Sequence, residues 1–316
     1  MTTIHSATAE DLTVSDPISE ADLETFLGDA GMTHNSTMRN RMSVVDVDGS
    51  RKVRVTLAAN SLDGVVFTVD LASSSEEIFC FYDLTANADS DSWEPGYGGK
   101  LPGPGAALPG YSPPSGGDGP ESTGCDGRWM WLGWHDGGRP YSWVNNPNEL
   151  VLYPYHWAQP GAYGNNQQTN TPIVPGQTHR LGVHYVMNTP GVADGVIRAY
   201  VDGSVVFENT AWEWRTDGDL SWNKFSFAVF RGGNDSLWEV DSATTFDFDN
   251  LVISTTMPES IDPPEAEPQG LGGLILSSQT TTTLTPTLAA PSVADPVLHT
   301  VAISHPTPTL SNGRPL

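Results

Sequence analysis

Between residues 43 and 256 the chain is a series of short runs of strand-forming residues broken by turn signals. This pattern constrains the fold more than any other feature. The runs read MSVVDV, KVRVTL, GVVFTVDL, EEIFCFYDL, RWMWLGW, ELVLYPYHW, HRLGVHYVMN, GVIRAYVDGSVVFE, KFSFAVF and TTFDFDNLVIS. Alternation of apolar and polar residues is clear in KFSFAVF and VIRAYV, and no stretch of this region carries a convincing helical period. Short strands at close spacing, with no helical segments between them, predict an all-β sandwich rather than βαβ units. AYVDGSVVF reads as a hairpin with Asp202-Gly203 at its turn.

The flanks differ in composition. Residues 1–42 read as a polar N-terminal arm. Within it DPISEADLETFLGDAG predicts a short helix, with Ser19 as N-cap and Leu23, Phe26 and Leu27 on its apolar side. Residues 257–316 begin as a linker, MPESIDPPEAEPQG, and continue as a Thr/Pro-rich extended tail. The first residues lack the cationic and apolar regions of a secretory leader. No apolar run approaches membrane-spanning length. A leaderless chain with an arm and an extended tail would suit an assembly. Its arm and tail would bind neighbouring subunits, on a virion surface, fibre or tail.

Charge narrows the partners. Of 316 residues 38 are acidic and 14 are Lys or Arg, giving a net charge of −24. Nucleic acid is a poor partner for such a chain, because phosphate binding needs cations that displace counterions. Five of the cations, Arg39, Arg41, Arg51, Lys52 and Arg54, fall together. They read either as outward positions on strands or as a basic patch for an acidic partner. Cys80 and Cys125 do not make a disulfide framework, though the fold could bring them together.

Candidate chemistry gathers at few places. Lys100 lies in GYGGKLPG, a turn-like stretch followed by the long loop 103–124, and long ordered loops are usually functional. Tyr153 and Tyr155, in YPYHWAQPGAYG, leave the same strand face, and His156 leaves the other. Paired tyrosines near cations suit proton transfer at a carbon acidified by a carboxylate, but equally suit an aromatic pair lining a sandwich face. Trp129, Trp131, Trp143 and Trp157 could stack on sugar rings. Asp247 and Asp249 share a face and read either as part of a structural calcium site or as a solvated acidic face over Phe246 and Phe248. No Walker, Rossmann or nucleophile-elbow pattern occurs.

In order along the chain stand GGKLPG, DGRWMWLGW, YPYHWAQPGAYG, HRLGVHYVMNTPGVADGVIRAYVDG, FAVFRGGND and FDFDNLVIS. Over residues 45–255 this set resembles the alginate and glucuronan lyase-like family, polysaccharide lyase family fourteen and its relatives. The resemblance implies a concanavalin-like jelly roll with a cleft across one concave sheet. It also implies β-elimination on a uronate-containing polysaccharide without a cofactor. By the resemblance, Lys100 falls on the essential lysine, Tyr153 and Tyr155 on the Tyr-x-Tyr pair that moves protons, and Arg128 on the arginine that holds the uronate carboxylate. Arg128, Asp126, His156 and Trp131 form the expected substrate-binding set. Where the family carries serine this chain has Asp126. That carboxylate would either repel an anionic substrate or pair with Arg128 and orient it. Tyr141 and Trp143 offer a competing Tyr-x-aromatic reading. Without the chemistry, the same jelly roll would be a glycan-binding module.

Overall fold

A computed structural model describes residues 2–29, 35–90, 98–119, 122–132, 149–232 and 236–261. Its strands are β1 Thr3–Ala7, β2 Met42–Val47, β3 Ser50–Leu57, β4 Val65–Ser75, β5 Glu77–Ala86, β6 Gly98–Lys100, β7 Gly103–Ala107 and β8 Gly124–Leu132. They continue with β9 Glu149–Tyr155, β10 Gln167–Pro172, β11 Thr178–Val186, β12 Gly195–Val201, β13 Ser204–Trp212, β14 Trp222–Arg231 and β15 Thr244–Ser254. Two antiparallel sheets result. The first runs β13-β12-β11-β5-β15-β3-β2, with β1 also on β15; the second runs β10-β9-β8-β6-β14-β4, with β7 between β14 and β8.

Apolar residues at alternate positions of both sheets meet in one core. Trp131 of the second sheet packs on Phe246 of the first with ring centroids 4.8 Å apart, and Phe227 on Phe248 at 5.0 Å. The buried phenol of Tyr185 crosses the core and donates to the Gly127 carbonyl at 2.7 Å. The expected sandwich is therefore the fold, and every strand-like run of the sequence overlaps a strand. The hairpin turn falls at Asp202-Gly203, both with positive φ (50° and 78°), as a two-residue turn requires.

Three points of the sequence reading take definite form. First, the N-terminal residues are part of the sandwich rather than a free arm. β1 pairs with β15, and α1 (Glu20–Leu27) buries Leu23, Phe26 and Leu27, with Phe26 set edge-on to Phe227 at 6.0 Å. The helix starts where expected, with the Ser19 hydroxyl accepting from the Asp22 N–H at 3.0 Å, and stops at Gly28 in the left-handed region. Second, the basic run is consumed internally. Arg51 donates to the Glu10 and Leu12 carbonyls, Arg41 pairs with Asp63, and Lys52 and Arg54 pair with β15 carboxylates. Third, Cys80 and Cys125 are both buried free thiols, and burial pushes the Cys80 thiol up to about 12. The Thr/Pro-rich tail, Tyr141 and Trp143 lie outside the described residues.

GGKLPG is not a turn. It is a strand in the middle of the second sheet, interrupted once. β6 and β7 lie end to end between β8 and β14, separated by Leu101-Pro102. Pro102 has no N–H to offer the ladder. Its carbonyl instead accepts from the Tyr82 phenol at 3.0 Å, and the Leu101 N–H still reaches the Trp129 carbonyl at 2.8 Å. The long loop 103–124 accordingly begins as strand.

Candidate active site

Alternation along β8 separates two sets of side chains. Cys125, Trp129 and Trp131 enter the core, whereas Asp126, Arg128 and Met130 leave the opposite face. Register then sets their neighbours. Asp126 stands opposite Tyr155, Arg128 opposite Tyr153, and Met130 between Val151 on β9 and Lys100 on β6. Met130, Val151, Tyr153 and Tyr155 form an apolar cluster separate from the main core. Lys100 joins this face because its neighbour cannot. The Trp131 ring lies under Gly99, where a Cβ would sit 2.1 Å from Cη2, so position 99 takes glycine on the core side.

Lys100, Arg128, Tyr153 and Tyr155 are thus brought together. Lys100 Nζ lies 3.3 Å from the centroid of the Tyr153 ring and 3.1 Å from Met130 Sδ. Tyr153 and Tyr155 meet edge to face, centroids 5.4 Å apart. Gly164 closes over both rings, since a Cβ there would lie 3.0 Å from each. Burial first, and then the Arg128 charge, hold the Lys100 ammonium well below the usual lysine range, against an opposing pull from Asp126. A lysine so placed releases its proton easily and can serve as a base.

Asp126 pairs with Arg128. Its two oxygens take Nε at 2.6 Å and Nη2 at 2.7 Å, and both side chains are buried. Burial disfavours the guanidinium charge, but the Asp126 carboxylate more than offsets it and Arg128 stays charged. Of the two readings of Asp126, the orienting one fits this geometry. The fork fixes the guanidinium plane and leaves Nη1 outside the pair.

Two members of the expected substrate-binding set lie elsewhere. Trp131 is fully buried on the core face, one residue out of phase with Arg128, and packs on Phe246. His156 turns away from the tyrosines as its alternation predicts. It packs 4.4 Å from Trp212, with Nδ1 3.1 Å from the Glu213 carbonyl. Burial lowers its pKa to about 4, so it is neutral. Trp129 is a core residue too, while Trp157 is 37% exposed. Asp247 and Asp249 lie on the outer face of the first sheet and are already paired. Asp247 takes Arg54 in a fork at 2.6 and 2.7 Å, and Asp249 takes Lys52 at 2.7 Å and the Ala9 N–H at 2.8 Å. Protein cations fill the place proposed for calcium. Among the described residues no cluster of three or more His, Cys, Asp or Glu side chains could hold a metal. Met130 was missed by sequence reasoning, although the rule that pairs 126 with 128 extends to 130.

The sequence profile named Polysaccharide lyase 14 matches residues 38–251. This chain belongs to the polysaccharide lyase 14 family. Its sandwich is similar to that of the alginate lyase Aly36B (24% identity, TM-score 0.63, covering 81% of this chain and 98% of that one). It is also similar to the marine alginate lyase from Aplysia kurodai (20%, TM-score 0.62, 81% and 100%). Alginate lyase vAL-1 from a Chlorella virus matches at 19%, TM-score 0.54, over 68% and 89% of the two chains. At these identities the likeness establishes the shared fold. No curated protein matches. Among the described residues no helix is long and apolar enough to cross a membrane.

Proposed function

We propose that this family member cleaves a uronate-containing polysaccharide by β-elimination on the outer face of the second sheet. The observation that carries the reading is Lys100. It is a lysine with lowered proton affinity, seated on a tyrosine ring beside a charged arginine. Family membership and the complex of one structural neighbour with an alginate tetrasaccharide support a polysaccharide as the ligand.

In this reading Arg128, held by Asp126, meets the uronate carboxylate and stabilises the charge that builds there as C5 loses its proton. Neutral Lys100 or a tyrosine takes that proton. The C5–H electrons form the C4=C5 double bond, the C4–O bond breaks, and a phenol of the Tyr153/Tyr155 pair returns a proton to the departing oxygen. No outside oxidant or cofactor enters the balance. The test is absorbance of the unsaturated ends released from alginate and glucuronan. Activity in the parent, absent in Lys100→Ala and strongly reduced in Tyr155→Phe, is the expected result. Binding without product would make the protein a glycan-binding module instead.

A further inference from the structure

The loop that closes over the tyrosine pair carries an aromatic ring that the elimination does not use. Gly164 touches both Tyr153 and Tyr155, and the residue before it, Tyr163, is 63% exposed. Tyr163 is also held. The Gly119 N–H donates to the Ala162 carbonyl at 3.0 Å, tying the loop after β9 to the long loop after β7. Gly117 of that second loop lies along one edge of the ring, where a Cβ would sit 3.4 Å from Cε1. Gly117 has φ +106°, a conformation that side chains rarely adopt, so this neighbour leaves the ring bare. Scattered exposed aromatics need no explanation. One braced between two loops, a single residue from the reacting groups, does.

We propose that Tyr163 is a sugar-stacking platform, a subsite for the pyranose ring next to the unit held over Lys100 and Arg128. An aromatic ring presents a flat apolar surface at little entropic cost, and the C–H face of a pyranose is its natural partner. The loop leaves β9 at Tyr155, opposite Asp126, so the platform would extend the site beyond that end of the strand pair. This inference rests on the uronate reading above. It adds a role for Gly117 and Gly119 of the glycine-rich loop: they brace the platform.

The test uses binding in a background without turnover. Lys100→Ala and Lys100→Ala/Tyr163→Ala are titrated with alginate and glucuronan oligosaccharides of increasing length. The Tyr163→Ala change is expected to weaken binding of the longer oligosaccharides by about tenfold and to leave the shortest bound ones unchanged. Tyr163→Phe and Tyr163→Trp should retain the affinity, and melting temperature should not move, because the ring is exposed. With Lys100 intact, Tyr163→Ala should raise KM for polymer more than it lowers kcat. Equal loss at every length, no loss, or the same loss in Tyr163→Phe overturns the platform. If the parent binds these glycans but releases no unsaturated ends, the lyase reading fails while the length series still decides Tyr163. If it binds neither series, both fail.

Discussion

The outer faces of the two sheets use the same strand positions for opposite ends. On the first sheet each cation meets a carboxylate: Arg54 with Asp247, Lys52 with Asp249, Arg180 with Asp83 at 2.9 Å, and Arg198 with Glu208. On the second sheet Arg128 has Asp126, but Lys100 rests on an aromatic ring and a thioether. Matched charges hold a surface together and leave nothing over. A half-buried cation without a carboxylate partner pays in proton affinity, and that is a property chemistry can use.

Lys100→Met breaks this contrast most sharply. Loss of a positioned proton-transfer group lowers rate by about 10³-fold, read as unsaturated ends per second. The same change should raise the melting temperature at neutral pH. The folded chain refuses a proton that the unfolded chain binds, so the parent loses stability as pH falls from the ordinary lysine value towards the lowered one. The variant escapes that loss. Its advantage is full at low pH and vanishes above about pH 10.4. A variant destabilised at pH 7 and still active would place Lys100 with the cations of the first sheet.

Asp126→Ala comes next. It strands a buried guanidinium, which costs about 3–5 kcal/mol, measured by urea denaturation, and it frees the arginine plane to turn. The double change Asp126→Leu with Arg128→Met should recover most of the stability and none of the activity. A single variant as stable as the parent would mean that the fork contributes nothing.

These particular residues also mark what the sequence could and could not tell. The sandwich was legible because most strands have one apolar face, and Lys100, Arg128 and the tyrosine pair were found through motifs. Trp131 was misplaced because both faces of this part of the second sheet are buried. β9 reads ELVLYPY and is buried at every position, so alternation does not reveal which side is core. β6 and β7 read as turn and loop because GGKLPGPGAA has the composition of a turn. Only the Trp131 ring over Gly99, a long-range contact, explains why glycine stands in a strand there. Asp247 and Asp249 left a calcium site and a solvated acidic face both open because their partners, Arg54 and Lys52, lie nearly two hundred residues away in the chain.

The histidines repeat the contrast on a smaller scale. Burial lowers the pKa of both: for His184 on the first sheet Glu77 at 2.7 Å opposes the fall, while His156 has no carboxylate and drops from 6.5 to about 4. Below the unfolded value the unfolded chain takes a proton that folded His156 declines. Stability should therefore drop as pH falls from 6.5 to 4, by roughly 3 kcal/mol in total. His156→Phe should flatten that part of the stability–pH curve. A curve unchanged in the variant would mean that other groups carry the acid sensitivity.

The smallest effect belongs to the matched face. The Arg54 side chain is 33% exposed and its fork to Asp247 is partly screened by water. Arg54→Met should cost about 1 kcal/mol or less, shrink further in high salt, and leave the proposed lyase turnover untouched. A surface pair that instead changed kcat would join the two faces energetically through the core, and the separation between a self-satisfied sheet and a working one would fail. Because Phe246 and Phe248, on either side of Asp247, pack directly on Trp131 and Phe227, such coupling would have a direct path through the core here. An unchanged kcat here is therefore demanding evidence that the working face depends on Lys100's own surroundings.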